Sequence, residues 1–78
     1  MIADIRDILT LEDDKDYIVA SKTEYKGYIY YYLMDINDNH NILFCYEEDG
    51  ELVEFDDHDT FINVLPRLLE VSRRILNK

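Results

Sequence analysis

At 78 residues the chain has room for one domain and no more. With 47% hydrophobic and 13% aromatic residues, two glycines and one proline, it excludes disorder and linker behaviour and holds the material of a core. A net charge of −10 repels phosphate backbones and anionic bilayers, so neither nucleic acid nor membrane is an expected partner.

The opening MIADIRDILT has neither the basic segment nor the long apolar run of a secretory leader. No apolar stretch approaches the roughly 20 residues that span a bilayer. Cys45 has no second cysteine to pair with, whereas a small secreted domain would ordinarily need disulfides. Together these predict a cytoplasmic protein.

In chain order, Ile5, Ile8, Leu9 and Leu11 fit a strand ending at Leu11, with a helical turn over residues 2–6 as the other reading. Residues 12–15 are polar and turn-like. Residues 16–25 are rich in β-branched and aromatic side chains and read as a strand, closed by the reversal Lys26-Gly27. Residues 27–36 alternate most clearly: Tyr28, Tyr30, Tyr32, Met34 and Ile36 fall on one face, and Ile29, Tyr31 and Leu33 on the other. Both sets are apolar or aromatic, which suits a central strand. Residues 35–41 read as a polar loop, 42–48 as a strand, Asp49-Gly50 as a hairpin turn and 51–55 as the last strand. Short reversals imply antiparallel neighbours, because parallel strands need longer crossovers.

The period changes after Phe55. Asp56, Asp57 and Asp59 suit a helix start, and Arg73, Arg74 and Lys78 its end, in the order that complements the helix dipole. Phe61, Leu65, Leu68, Ser72 and Ile75 follow helical spacing. Pro66 removes a backbone donor inside this run, so a kinked helix is expected, or a short one over 58–64 followed by a longer one to about 76. The predicted fold is thus α+β: an antiparallel meander of four to five strands over residues 1–55, then a helical segment over 56–78, in a single domain.

No constellation carries recognisable catalytic chemistry. Asp35, Asn37 and Asn39 have the spacing of an EF-hand loop, but His40 replaces the glycine and Tyr46 the bidentate glutamate that calcium requires. His40, Cys45 and His58 are the classical zinc-ligand types and are not paired as a zinc site needs. With two glycines there is no phosphate-cradling loop. No catalytic residue, metal or cofactor is expected. Two features invite a partner instead: the tyrosines Tyr28, Tyr30 and Tyr32 in one row, and the run Glu47, Glu48, Asp49, Glu51, Glu54, Asp56, Asp57 and Asp59, unbroken by any base. Tyrosine on a strand face is ordinarily packing, and acids around a turn and helix start are ordinarily solvated, so each feature has a purely structural reading as well.

The run LTLEDDKDYIVASKTEYKGYIYYYLM, followed by a polar segment, a strand, DGELVEF and an acidic helix start, resembles a family of small acidic uncharacterised proteins, a domain of unknown function, from Gram-positive bacteria and mollicutes. The resemblance covers roughly residues 8–61 and is most specific over 23–33. It implies the meander fold and a bacterial cytosolic setting, and carries over no catalytic or binding residue.

The leading functional expectation is a non-enzymatic protein-interaction module using Tyr28, Tyr30 and Tyr32 or the acidic edge at Glu47, Glu48, Asp49 and Glu51. The alternative is an acidic nucleic-acid mimic, encoded by a mobile element, that inhibits a DNA-binding protein; carboxylates along one convex ridge would mark it. A homodimer through the C-terminal helix is a further expectation, since that helix carries apolar residues nearly all round.

Overall fold

The computed structural model describes residues 3–76, with side chains to residue 70. Five strands are followed by one helix: β1 (Ile8–Thr10), β2 (Asp16–Tyr25), β3 (Tyr28–Asp35), β4 (Asp38–Glu48), β5 (Glu51–Glu54) and α1 (His58–Leu76). The strands lie in sequence order as an antiparallel meander. The α+β meander and terminal helix are as the alternation, the short turns and the acidic cap predict.

Two reversals follow directly from turn chemistry. Lys26 and Gly27 take φ of 52° and 85°, and Asp49 and Gly50 take 52° and 81°. Paired positive φ gives the backbone twist that two-residue hairpins need, and glycine reaches it without steric penalty.

The third reversal differs from its expected form. The segment over residues 35–41 is not a loop: Ile36 and Asn37 make the turn, and β4 begins at Asp38. Asp35 ends β3 and accepts hydrogen bonds from the Asn37 amide at 2.8 Å and from Asn41 Nδ2 at 3.1 Å. Asp38 accepts from the His40 amide at 3.0 Å. These side chains satisfy the turn's polar groups, so the chain can enter β4 four residues early. Asp35, Asn37 and Asn39 therefore fall on a strand end, a turn and a strand, and do not wrap a calcium ion.

At the N-terminal side only Ile8–Thr10 is strand, shorter than the expected run to Leu11. Residues 4–7 form a turn, in which the Asp7 amide donates to Asp4 O at 3.0 Å and Arg6 takes φ of 76°. The pairing of β2 with β3 shifts register between Val19 and Ser21. Such a bulge bends its strand and increases local twist. Just there, Val19 exchanges backbone bonds of 2.8 Å with Arg6 and Asp7, so the N-terminal segment is tied beside the bend.

The sheet buries apolar side chains on both faces. On one, Tyr30, Val64 and Leu68 form the centre, with Tyr25, Tyr32, Phe44, Tyr46 and Phe55 packed against them under α1. On the other, Ala3, Tyr17, Val19, Tyr31, Leu33 and Cys45 are buried without any helix over them. Two large tyrosines and the N-terminal segment do the covering: Lys22 Nζ reaches the Asp4 carboxylate and the Ala3 carbonyl. The Tyr31 hydroxyl donates to Glu47 Oε1 at 2.8 Å. Each buried Tyr or Leu contributes about 1.5–3 kcal/mol of transfer free energy.

The helix starts where expected. Asp57 Oδ2 accepts from the Thr60 amide at 3.0 Å, a cap worth about 1 kcal/mol. It does not split at Pro66, which sits inside one continuous helix. The amide lost at Pro66 would have bonded the carbonyl of Ile62, a residue 57% exposed, so water can satisfy that oxygen and the helix carries on. No helix among the described residues is long and apolar enough to cross a membrane.

Candidate functional site

The tyrosine row is divided by burial rather than presented as one surface. Tyr30 is 7% exposed beneath α1, Tyr32 is half-buried with its ring 5.1 Å from Phe44, and Tyr28 is 45% exposed. The acidic residues also part company. Glu47 turns to Tyr31 on the helix-free face, whereas Glu48 bonds the Tyr46 hydroxyl on the helix side. Asp49 is exposed in its turn, and Glu51 lines a groove. The eight acids of 47–59 are thus spread over both faces of the sheet and the helix cap.

Two concavities collect these residues, one on each side of β5. The first is an open groove of about 500 Å³ on the helix-free face. Leu11, Leu43, Cys45 and Leu52 line it, and Glu12, Asp13, Glu51 and Glu54 stand around them, with Thr10 at the end of β1. Residues from the β1 side and from β4–β5 share one cavity because the sheet curls about this face, while β1 and β5 remain unpaired with each other. Asp13 is held in place, accepting from the Tyr17 hydroxyl at 2.9 Å and the Lys15 amide at 3.0 Å.

Cys45 lines this groove at 2% exposure. Burial first, and the Glu54 carboxylate second, push its thiol from 9.0 up to about 11. A nucleophilic cysteine needs the opposite setting, electropositive and partly exposed. Cys45 is a small apolar side chain at the bottom of the groove.

The second concavity, of about 370 Å³, lies on the helix side between β3, the β4–β5 end and the start of α1. Its lining includes Tyr28, Tyr30, Tyr46 and Phe55, with Glu54, Asp56, Asp57 and Thr60. Tyr30 and Tyr46 are register partners across β3 and β4. Burial, and the neighbouring Tyr28, Tyr25 and Asp57, push the Tyr30 phenol upward. The Glu48 hydrogen bond, with burial second, does the same to Tyr46. The Thr60 hydroxyl and amide hold Asp57 below the ordinary carboxylate range, so it is anionic at neutral pH.

Of the residues expected to bind, Tyr28 and Tyr30 meet in the second concavity and Glu51 lies in the first, while Tyr32, Glu47, Glu48 and Asp49 line neither. Sequence reading missed Leu11, Glu12, Asp13, Leu43 and Leu52 as groove residues, because curvature brings them together and no local pattern reports it. Phe55 was reachable, because the Asp49-Gly50 turn fixes the β4–β5 register and sets Tyr46 opposite Val53, two places before Phe55. The pairing of Tyr46 with Tyr30 depends instead on the turn at residues 36–37, which reads as a longer loop in sequence. The outer face of α1 leaves Ile62 at 57% and Leu69 at 46% exposure, seven residues apart on either side of exposed Pro66. Of the other apolar helix side chains expected in a helix-mediated dimer, Val64 and Leu68 are buried against the sheet and Leu65 is half-buried, while Val71, Ile75 and Leu76 lie outside the residues whose side chains are described.

Among the described residues, no three His, Cys, Asp or Glu side chains group as ligands of a metal ion would. Compared with known proteins, the chain matches no protein-family model, no curated protein and no solved structure.

Proposed function

We propose that this domain is a non-enzymatic protein-interaction module, and that it holds its partner in the groove on the helix-free face. The observation that carries this reading is the groove's make-up: leucine side chains accessible at its floor, four carboxylates around them and no base among its lining residues. An apolar centre with a polar rim is the usual anatomy of a protein interface. The carboxylates select the partner's charge, favouring a segment that offers an apolar side chain between lysines or arginines.

Two of those carboxylates, Glu51 and Glu54, stand on the edge strand β5 and repel a second copy of this acidic chain, as charged edges commonly do. The reading therefore favours a different protein over self-association at this face. A cytosolic setting, and the bacterial one implied by the resemblance, belong to this proposal. The cytosolic setting is supported by a lone buried thiol with no disulfide partner.

Affinity capture with the whole domain tests it. The bait is compared with a Glu12→Lys, Glu51→Lys double variant, in which both changed residues are exposed. Proteins retained by the native bait and lost with the variant are the expected result; identical retention by both baits contradicts the proposal.

A further inference from the structure

The pocket on the helix side is built differently from the groove. Its walls are aromatic, and two ring pairs stand nearly perpendicular. Tyr28 and Tyr46 have centroids 5.5 Å apart at 81°, and Tyr30 and Phe55 are 5.2 Å apart at 83°. Perpendicular rings close a corner with π faces turned along different directions, and a cation within about 6 Å of such a face is attracted by the ring quadrupole. Asp56 and Asp57 stand at the same pocket, both exposed, where α1 begins.

The same aromatic cluster already holds cations of this chain. Lys26 Nζ and Arg67 Cζ each lie 5.5 Å from the Tyr25 ring centre, and Tyr25 meets Tyr30 edge-on at 6.2 Å. Those two cations serve Tyr25; neither lines the pocket of Tyr28, Tyr46 and Phe55, where the lining charges are all negative. At about 370 Å³ the space falls at the small end of the roughly 300–1,000 Å³ that ligand sites occupy, which suits one side chain better than a cofactor.

We propose that this aromatic and acidic pocket receives the cationic head of a single lysine or arginine side chain presented by a partner protein. The ring faces supply the cation–π attraction, and Asp56 and Asp57 supply long-range charge. The proposal shares with the groove reading the residue Glu54, which borders both concavities, and the expectation that the occupant belongs to a protein. The two sites lie on opposite faces of the sheet, so either can fail alone.

The test is a titration of the whole domain, followed through the ring proton resonances of Tyr28 and Tyr46. The probes are lysine and arginine blocked at both ends, blocked norleucine as the uncharged match, and tetramethylammonium as a free small cation. Saturable ring shifts with the blocked cationic residues, absent with norleucine, are expected. Tyr28→Leu should weaken that binding about fivefold, and Asp56→Asn should weaken it and flatten its salt dependence. Both positions are exposed, and a thermal melt of each variant checks that it folds before titration. The proposal is overturned by absence of saturable shifts, by equal shifts with norleucine, or by affinity unchanged in both variants. Tighter binding of tetramethylammonium than of either blocked residue would overturn the assignment to a protein side chain.

Discussion

The rings of Tyr28 and Tyr46 meet at 81° with their centres 5.5 Å apart, one 45% exposed and the other half-buried. Two places along β3, Tyr30 is 7% exposed and packs on Val64 and Leu68. A row that reads as uniform in sequence is therefore divided, with Tyr30 in the core under α1 and Tyr28 at the surface.

That division predicts opposite outcomes for two similar substitutions. Tyr30→Ala removes a ring from between the sheet and α1, and should cost about 3–5 kcal/mol. Tyr28→Ala should cost less than about 1 kcal/mol, as surface changes do. Urea denaturation measures both, and equal losses would place the two rings in one environment.

Ser21 is fully buried on the helix side, opposite Tyr32 in register, and its Oγ has no hydrogen-bond partner among the described residues. A hydroxyl buried without a partner keeps its desolvation penalty. Ser21→Ala should therefore leave stability unchanged or raise it by up to about 1 kcal/mol. A clear loss in the same denaturation experiment would show that the hydroxyl is bonded in solution.

Cys45 should be slow to react. With its thiol at about 11, the folded protein at pH 8 holds on the order of 100-fold less thiolate than an ordinary cysteine. Reaction with a disulfide reagent should be slowed accordingly and restored by denaturant. Because the folded value is raised, the associated stability is whole below about pH 9 and is lost as pH rises through about 11. The phenols of Tyr17, Tyr30 and Tyr46, raised in the same direction, steepen that alkaline loss. A folded thiol that reacts as fast as the unfolded one would contradict the burial described.

At the acid end the sign reverses. The Asn37 amide first, and Asn41 second, hold Asp35 below the usual carboxylate range, and Thr60 does the same for Asp57. Their contributions are present above the unfolded value of about 3.9 and are lost as pH falls through the lower folded values. Stability should fall as pH drops from about 5 towards 3, and fall less steeply in Asp35→Asn. Parallel acid profiles for the two proteins would remove Asp35 from this account.

What the sequence made legible was local. Lys26-Gly27 announces its turn through Gly27, which takes positive φ freely, Asp49-Gly50 is a favoured two-residue hairpin pair, and the acids at 56–59 announce the helix start. What it hid depended on partners distant in sequence. Residues 35–41 look like a loop because Asp and Asn favour turns, yet Asp35 and Asp38 satisfy the turn and free its residues for β4. Pro66 looks like a break, but its position on the exposed side of α1 makes the missing bond inexpensive. The groove needs the bend at the bulge in β2 and the approach of residues 10–13 to β5, and the aromatic pocket needs α1 docked. Neither leaves a periodic trace.

The central claim is that a partner occupies the groove, and the leucine methyl resonances of the domain report on it most directly. On titration with a captured partner, the methyls of Leu11, Leu43 and Leu52 should shift, while those of Ile62 and Leu69 on the outer face of α1 stay in place. Shifts confined to Ile62 and Leu69, with the groove methyls unmoved, would contradict the claim and move the interface to the helix.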